Sequence, residues 1–228
     1  MAIDIEALKK INYFEGLDTA ELEHIKKYIA EKTAEKGEIL FFEGQWYDYV
    51  YFLVSGVVKV YKSSPGGKEQ IMHIATPGDS FNDISTFDGE PSSASMMAMT
   101  PAYLYVIYNK DLKNLLSDHP KLCLNIMKAL ANRVRRDSSL AEELSSGQVL
   151  ARLAKLLLGK YAGEEADVGR YLTQQDMANF IGTRREVINR GLKVMEEKGC
   201  ISMSRRGIEV VNKKRLCELA QYLEDNSQ

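Results

Sequence analysis

Cysteine and histidine are scarce: the 228 residues hold three of each, beside a single tryptophan. Cys123, Cys200 and Cys217 are far apart and form neither a C-x-x-C pair nor a disulfide framework, so they are read as small buried apolar side chains. His24, His73 and His119 have no metal-ligand spacing to one another, and no metal site is expected. No apolar run approaches the roughly 18 residues needed to span a bilayer. The opening MAIDIEALKKINYFEGL shows neither a long apolar core nor a small-residue cleavage site. A cytoplasmic location is therefore expected. Catalytic constellations are missing too: there is no Ser-His-Asp order with supporting motifs, no Walker-type P-loop and no H-E-x-x-H, so no enzymatic activity is expected.

What is present is ordinary in bulk and uneven in detail. Hydrophobic residues make up 45% and charged residues 27%, which fits a globular chain of one or two domains. The formal net charge is only −2, yet between Arg184 and Arg215 ten basic residues face four acidic ones, a local footprint suited to phosphate.

That basic stretch overlaps TQQDMANFIGTRREVINRGLKVMEE. Thr173 followed three residues later by Asp176 is a helix start. Met177, Phe180 and Ile181 then repeat at helical spacing, and Gly182 closes the helix. A second start at Thr183 opens a longer helix with Val187, Ile188, Leu192 and Met195 facing inward. Arg184, Arg185, Glu186, Asn189, Arg190 and Lys193 face out. Arg185, Glu186 and Arg190 lie within about 1.5 turns of one another, so they reach neighbouring base pairs; Arg reads guanine O6 and N7, and Glu accepts from cytosine N4. Two short strand-like runs follow, KGCISM and GIEVV, around a basic turn at Arg205 and Arg206. Helix, turn, helix and hairpin make a winged helix-turn-helix.

These residues resemble the CRP/FNR family of bacterial transcription regulators, and the resemblance extends over nearly the whole chain. It implies that Arg185, Glu186 and Arg190 stand where the catabolite-activator branch carries its base-reading residues. Thr173, Thr183, Arg184, Lys193, Arg205 and Arg206 are then expected at the DNA backbone. Asn189 departs from the Ser that the FNR branch places there. That branch's iron–sulfur cluster needs cysteines near the N-terminus, and this N-terminus has none, so no cluster is expected.

The N-terminal half reads as two amphipathic helical pieces, Ile5 to Ile11 and Asp18 to Lys32. After Glu35 come short alternating runs, EILFFEG, YVYFLVSG, VVKVYKSS and KEQIMHIA, punctuated by glycines. This pattern predicts an antiparallel barrel or jelly roll. By resemblance it is a β-roll related to cyclic-nucleotide-binding domains, and PGDSFNDISTFDGEPSSAS is its ligand-binding segment. Cyclic-nucleotide binders carry Gly-Glu and a later Arg-Ser or Arg-Thr; here those positions read Asn82-Asp83 and Ser92-Ser93. Asp83 is left to accept a hydroxyl, but no cation replaces the phosphate-pairing Arg. Cyclic AMP is therefore not expected, and the effector is expected to be haem with a diatomic gas, or an uncharged or non-phosphate metabolite. His73 or one of Met96, Met97 and Met99 would ligate a haem; otherwise the methionines fill core space.

Pro120 opens a helix to about Leu144, with Ile126, Leu130, Val134 and Ala141 near a 3.5-residue repeat. By resemblance this helix is the dimer axis, and Asp137 and Ser138 join Asn82, Asp83, Ser92 and Ser93 at the effector. Ser145 to Gly147 reads as a hinge. The expected architecture is α+β: a β-roll sensor over 1–118, a dimerisation helix over 119–145 and a winged helix-turn-helix over 146–228. The expected function is that of a homodimeric regulator of a pseudo-palindromic operator with TGTGA-like half-sites, partnered by RNA polymerase if it activates. The alternative is a haem- or small-ligand sensor acting through a protein partner.

Overall fold

The structure, a computed structural model, describes residues 3–146, 148–159, 171–204 and 207–225. These form two compact units, residues 1–62 with 75–134 and residues 63–74 with 135–228.

The chain starts with a short helix α1 (Ile5–Lys9), a 3-10 turn (Asn12–Phe14) and α2 (Thr19–Lys26). Asp18 and Glu21 cap α2 reciprocally, each side chain accepting from the other's backbone N–H at 2.8 Å. Helix was expected as far as Lys32, but it ends at Lys26 and Ala30–Ala34 is strand β1. The apolar spacing of Ile25, Ile29 and Ala30 continues a helical pattern, yet pairing with a distant strand prevails, as tertiary context commonly overrides propensity.

Strands β2 (Ile39–Phe41), β3 (Tyr49–Ser55), β4 (Val58–Ser63), β5 (Glu69–Ala75), β6 (Ser80–Phe81), β7 (Ser95–Ala98) and β8 (Ala102–Tyr108) follow. They form two antiparallel four-stranded sheets, ordered β1-β8-β3-β6 and β2-β7-β4-β5. Period-two alternation divides the first sheet between two cores. Val50, Phe52, Tyr105 and Ile107 pack with Leu8, Tyr13, Phe14, Leu22 and Ile25 of the N-terminal segments. The alternate residues Tyr51, Leu53, Leu104 and Val106 face the roll interior with Phe41, Val58, Phe81 and Met96.

Between β6 and β7, within the expected ligand-binding segment, lies a one-and-a-half-turn helix α3 (Asp83–Asp88). Helix α4 (Asn109–Asp118) leads to α5 (Pro120–Ser146). Helix α5 continues through Ser146, so Ser145 and Ser146, expected in a hinge, are its last residues; Gly147 lies outside the described residues. Leu122 and Ile126 of α5 sit in the first core, and Leu130 packs against it. Ile126, 5% exposed, was expected in a dimer seam and instead belongs to the chain's own core.

In the second unit, α6 (Val149–Leu157) packs against α9 (Lys213–Asp225), and α7 (Gln174–Ile181) and α8 (Arg185–Glu197) follow one another closely. A two-stranded antiparallel hairpin, β9 (Ile201–Ser204) and β10 (Gly207–Val210), comes after α8. No described helix is long and apolar enough to cross a membrane.

Candidate nucleic-acid interface

Helix α7 is set by its caps. Thr173 Oγ1 accepts from Asp176 N at 3.1 Å, and Asp176 Oδ2 accepts from Thr173 N at 3.0 Å. The Thr173 hydroxyl also donates to Asp176 at 2.5 Å, so this group, expected at the DNA backbone, is taken up by the cap. At the other end Gly182 adopts φ +75°, and its N–H closes on Ala178 O at 3.0 Å. This left-handed residue makes the turn that separates two helices from what would otherwise be one.

Helix α8 begins one residue later than expected: its N-cap is Arg184, not Thr183, and no side chain caps it. Its first N–H groups thus have no side-chain cap, which leaves a partial positive charge beside Arg184 and Arg185 and favours a phosphate. Ile188, Leu192 and Met195 are buried, while Arg184, Arg185, Glu186, Arg190 and Lys193 are exposed, as their spacing predicts. Gly191 lies on the buried face, where an added Cβ would come within 2.9 Å of Leu153 and 3.0 Å of Leu150. Only glycine lets α6 approach this closely; the sequence signal was a glycine inside an otherwise regular helix.

Asn189, expected on the outward face, is half-buried and braces the pair: its Nδ2 donates to Gln174 Oε1 at 3.2 Å, tying α8 to the first turn of α7. Within α7, Gln175 Nε2 donates to Asn179 Oδ1 at 2.8 Å. Glu196 accepts from Met203 N at 2.9 Å, which anchors β9 to α8. Arg205 and Arg206 lie outside the described residues.

The expected effector positions of the first unit have other employment. Asn82 is the sole non-glycine with positive φ among the described residues, at +67°, a conformation Asn tolerates, and its Nδ2 donates to Tyr49 O at 2.8 Å. Asp83 is 1% exposed and receives five donors. Ile84 N (3.0 Å) and Arg133 Nη1 (2.8 Å) reach Oδ1; Tyr13 OH (2.5 Å), Ser80 Oγ (2.8 Å) and Arg133 Nη2 (3.1 Å) reach Oδ2. Burial opposes ionisation of this carboxyl, but the Arg133 charge and the hydrogen bonds from Arg133, Tyr13 and Ser80 outweigh it, so its pKa lies below the ordinary Asp value. Burial, reinforced by the Asp83 charge, pushes the Tyr13 phenol well above its usual range.

The expectation that Asp83 accepts a ligand hydroxyl is thereby corrected: an ionised carboxylate has about four lone-pair sites, and the chain already fills them. Ser92, also buried, donates to Ala94 O at 3.0 Å, while Ser93 is exposed. Asp137 and Ser138 are exposed positions of α5 outside the first unit. Arg133, to which the sequence pattern assigned no role, is the site residue that pattern missed. Its partner lies 50 residues away, beyond any local periodicity.

Met96 is buried in the roll and Met97 and Met99 are half-buried, as is His73, which makes an interaction of its own. No group of three or more potential metal ligands occurs among the described residues.

Two family models match the chain: the cyclic nucleotide-binding domain over residues 31–119 and the Crp-like helix-turn-helix domain over residues 151–219. A CRP-like cAMP-activated global transcriptional regulator of Mycobacterium tuberculosis is 27% identical over 222 residues, covering 95% of this chain and 99% of the relative. The cyclic AMP receptor protein of Thermus thermophilus is 26% identical over 207 residues, covering 91% and 95%. FixK2 of Bradyrhizobium japonicum superimposes with a TM-score of 0.73 at 22% identity, over 84% of this chain and 96% of that one. The relatives are transcription regulators, not enzymes, and with both domain models in chain order around one long helix, this chain belongs to the CRP/FNR family of transcription regulators.

Proposed function

We propose that the chain is a homodimeric regulator that reads a pseudo-palindromic operator with TGTGA-like half-sites. The observation that carries this is the division of α8: Arg185, Glu186 and Arg190 stand on the solvent side, with the buried anchors Ile188, Leu192 and Met195 behind them. Support for the two-fold comes from α5, where Leu124, Met127, Ala131, Val134, Ser138 and Ala141 are all exposed and alternate at spacings of three and four. A two-fold dimer matches a pseudo-palindromic operator whose half-sites lie about one DNA turn, roughly 34 Å, apart.

Although the M. tuberculosis and Thermus relatives are named for cyclic AMP, this chain does not use it. Asp83 has no acceptor capacity left, and Ser92 and Ser93 stand where a phosphate needs a cation. The test of the proposal is Arg185→Ala. Operator binding should weaken by about 1–3 kcal/mol and preference should relax at one base position. An equal loss on operator and random duplex would reduce Arg185 to a phosphate contact and refute base reading.

A further inference from the structure

The Asp83 network joins four separate pieces of chain. Tyr13 comes from the N-terminal 3-10 turn, Ser80 from β6, Asp83 and Ile84 from α3, and Arg133 from α5. Arg133 holds α3 by a two-point ion pair and β6 by a third bond, from Nη2 to Ser80 O at 3.1 Å. A planar guanidinium facing a carboxylate in this manner is strong and geometrically exacting. Breaking one partner of such a buried pair leaves the other charge uncompensated, so the arrangement is held as a unit.

A ligand can shift a conformational equilibrium only by interacting differently with its two states. A ligand seated between the α3 segment and α5 would act by joining them. Here that junction is already made by the chain's own charges, and the carboxylate that a ligand would need carries five donors. The same helix bears Leu124, Met127 and Val134 of the proposed dimer stripe, which belong with Arg133 to the first unit.

We infer that the Asp83–Arg133 latch replaces a small effector, so that the protein binds its operator without an added ligand. This rests on the DNA-binding reading above. The regulatory output of such a chain follows its abundance.

The full-length chain is purified, and a portion is denatured in guanidinium, desalted and refolded to remove co-purifying small molecules. A duplex selected from a random pool with the as-purified protein is then bound by both preparations. The two should have dissociation constants within about twofold of each other, and cyclic AMP or haemin should change neither by more than that. Arg133→Met should weaken binding at least about tenfold, a typical size for coupling between sites, and Arg133→Lys, which keeps the charge but loses the fork, should fall between. Refolded protein that binds only when cyclic AMP, haemin or the removed small-molecule fraction is returned would overturn the inference. If neither preparation selects any duplex, the DNA-binding reading itself fails, and amide exchange then judges the latch. Exchange in residues 83–88 and 127–134 should be equally slow in both preparations and at least about tenfold faster in Arg133→Met, with Asp83→Asn as the substitute should that variant not fold. Exchange unchanged by either substitution would dismiss the latch.

Discussion

Asp83 shows how much one side chain's meaning depends on partners that are remote in sequence. In a turn-rich segment it looks like a ligand acceptor; in the fold it is the centre of a buried network reaching Tyr13 and Arg133. Arg133→Met should destabilise the first unit by about 3–5 kcal/mol, because it strands a buried carboxylate, and urea unfolding measures this. The pH dependence has a definite sign. The folded-state pKa of Asp83 is depressed, so its contribution is complete above the unfolded value of about 3.9 and is lost as pH falls through the lower folded value. Thermal melts of the wild type should therefore drop in that acid window. Asp83→Asn should start lower near neutrality and show a shallower drop there; parallel curves for the two proteins would deny Asp83 this role.

At the scale of elements, local chemistry was legible where it is self-contained. The α7 cap needs only Thr173 and Asp176, and Thr173→Ala should cost about 1 kcal/mol of second-unit stability, measured by thermal or urea unfolding. The start of α8 was misplaced by one residue, because Thr183 looks like a cap while the backbone enters the helix after an uncapped Arg184. Gly191 was passed over because its reason is a neighbouring helix. Gly191→Val would drive a branched side chain into Leu150 and Leu153, and unfolding should show a loss of about 1–3 kcal/mol from overpacking. Strand β1 was mistaken for the end of a helix, since five residues of mixed polarity are decided by their pairing with β8 rather than by their own pattern.

For the whole molecule, α5 carries two apolar faces with different tasks. Leu122 and Ile126 serve the chain's own core, whereas Val134, 64% exposed, lies on the outer stripe with Leu124 and Met127. Met127→Asp with Val134→Asp should give a folded monomer that no longer binds operator, whereas Ile126→Asp should unfold the first unit. Light scattering and circular dichroism distinguish these outcomes, and a dimeric mass for the double variant would place the two-fold elsewhere.

From sequence alone came the order of segments, the roll-like alternation, the caps of α7 and the outward triad Arg185, Glu186 and Arg190. Each of these depends on residues within a turn or two of one another, and a period of 2 or 3.6 records them directly. Only the tertiary structure decided which seam of α5 is free and that Asp83 is already satisfied. It also decided that Arg133 belongs to the roll and that Asn189 leans on Gln174. Those outcomes hinge on contacts between residues from 15 to 70 positions apart, and no local periodicity encodes which distant charge or cavity a side chain will meet.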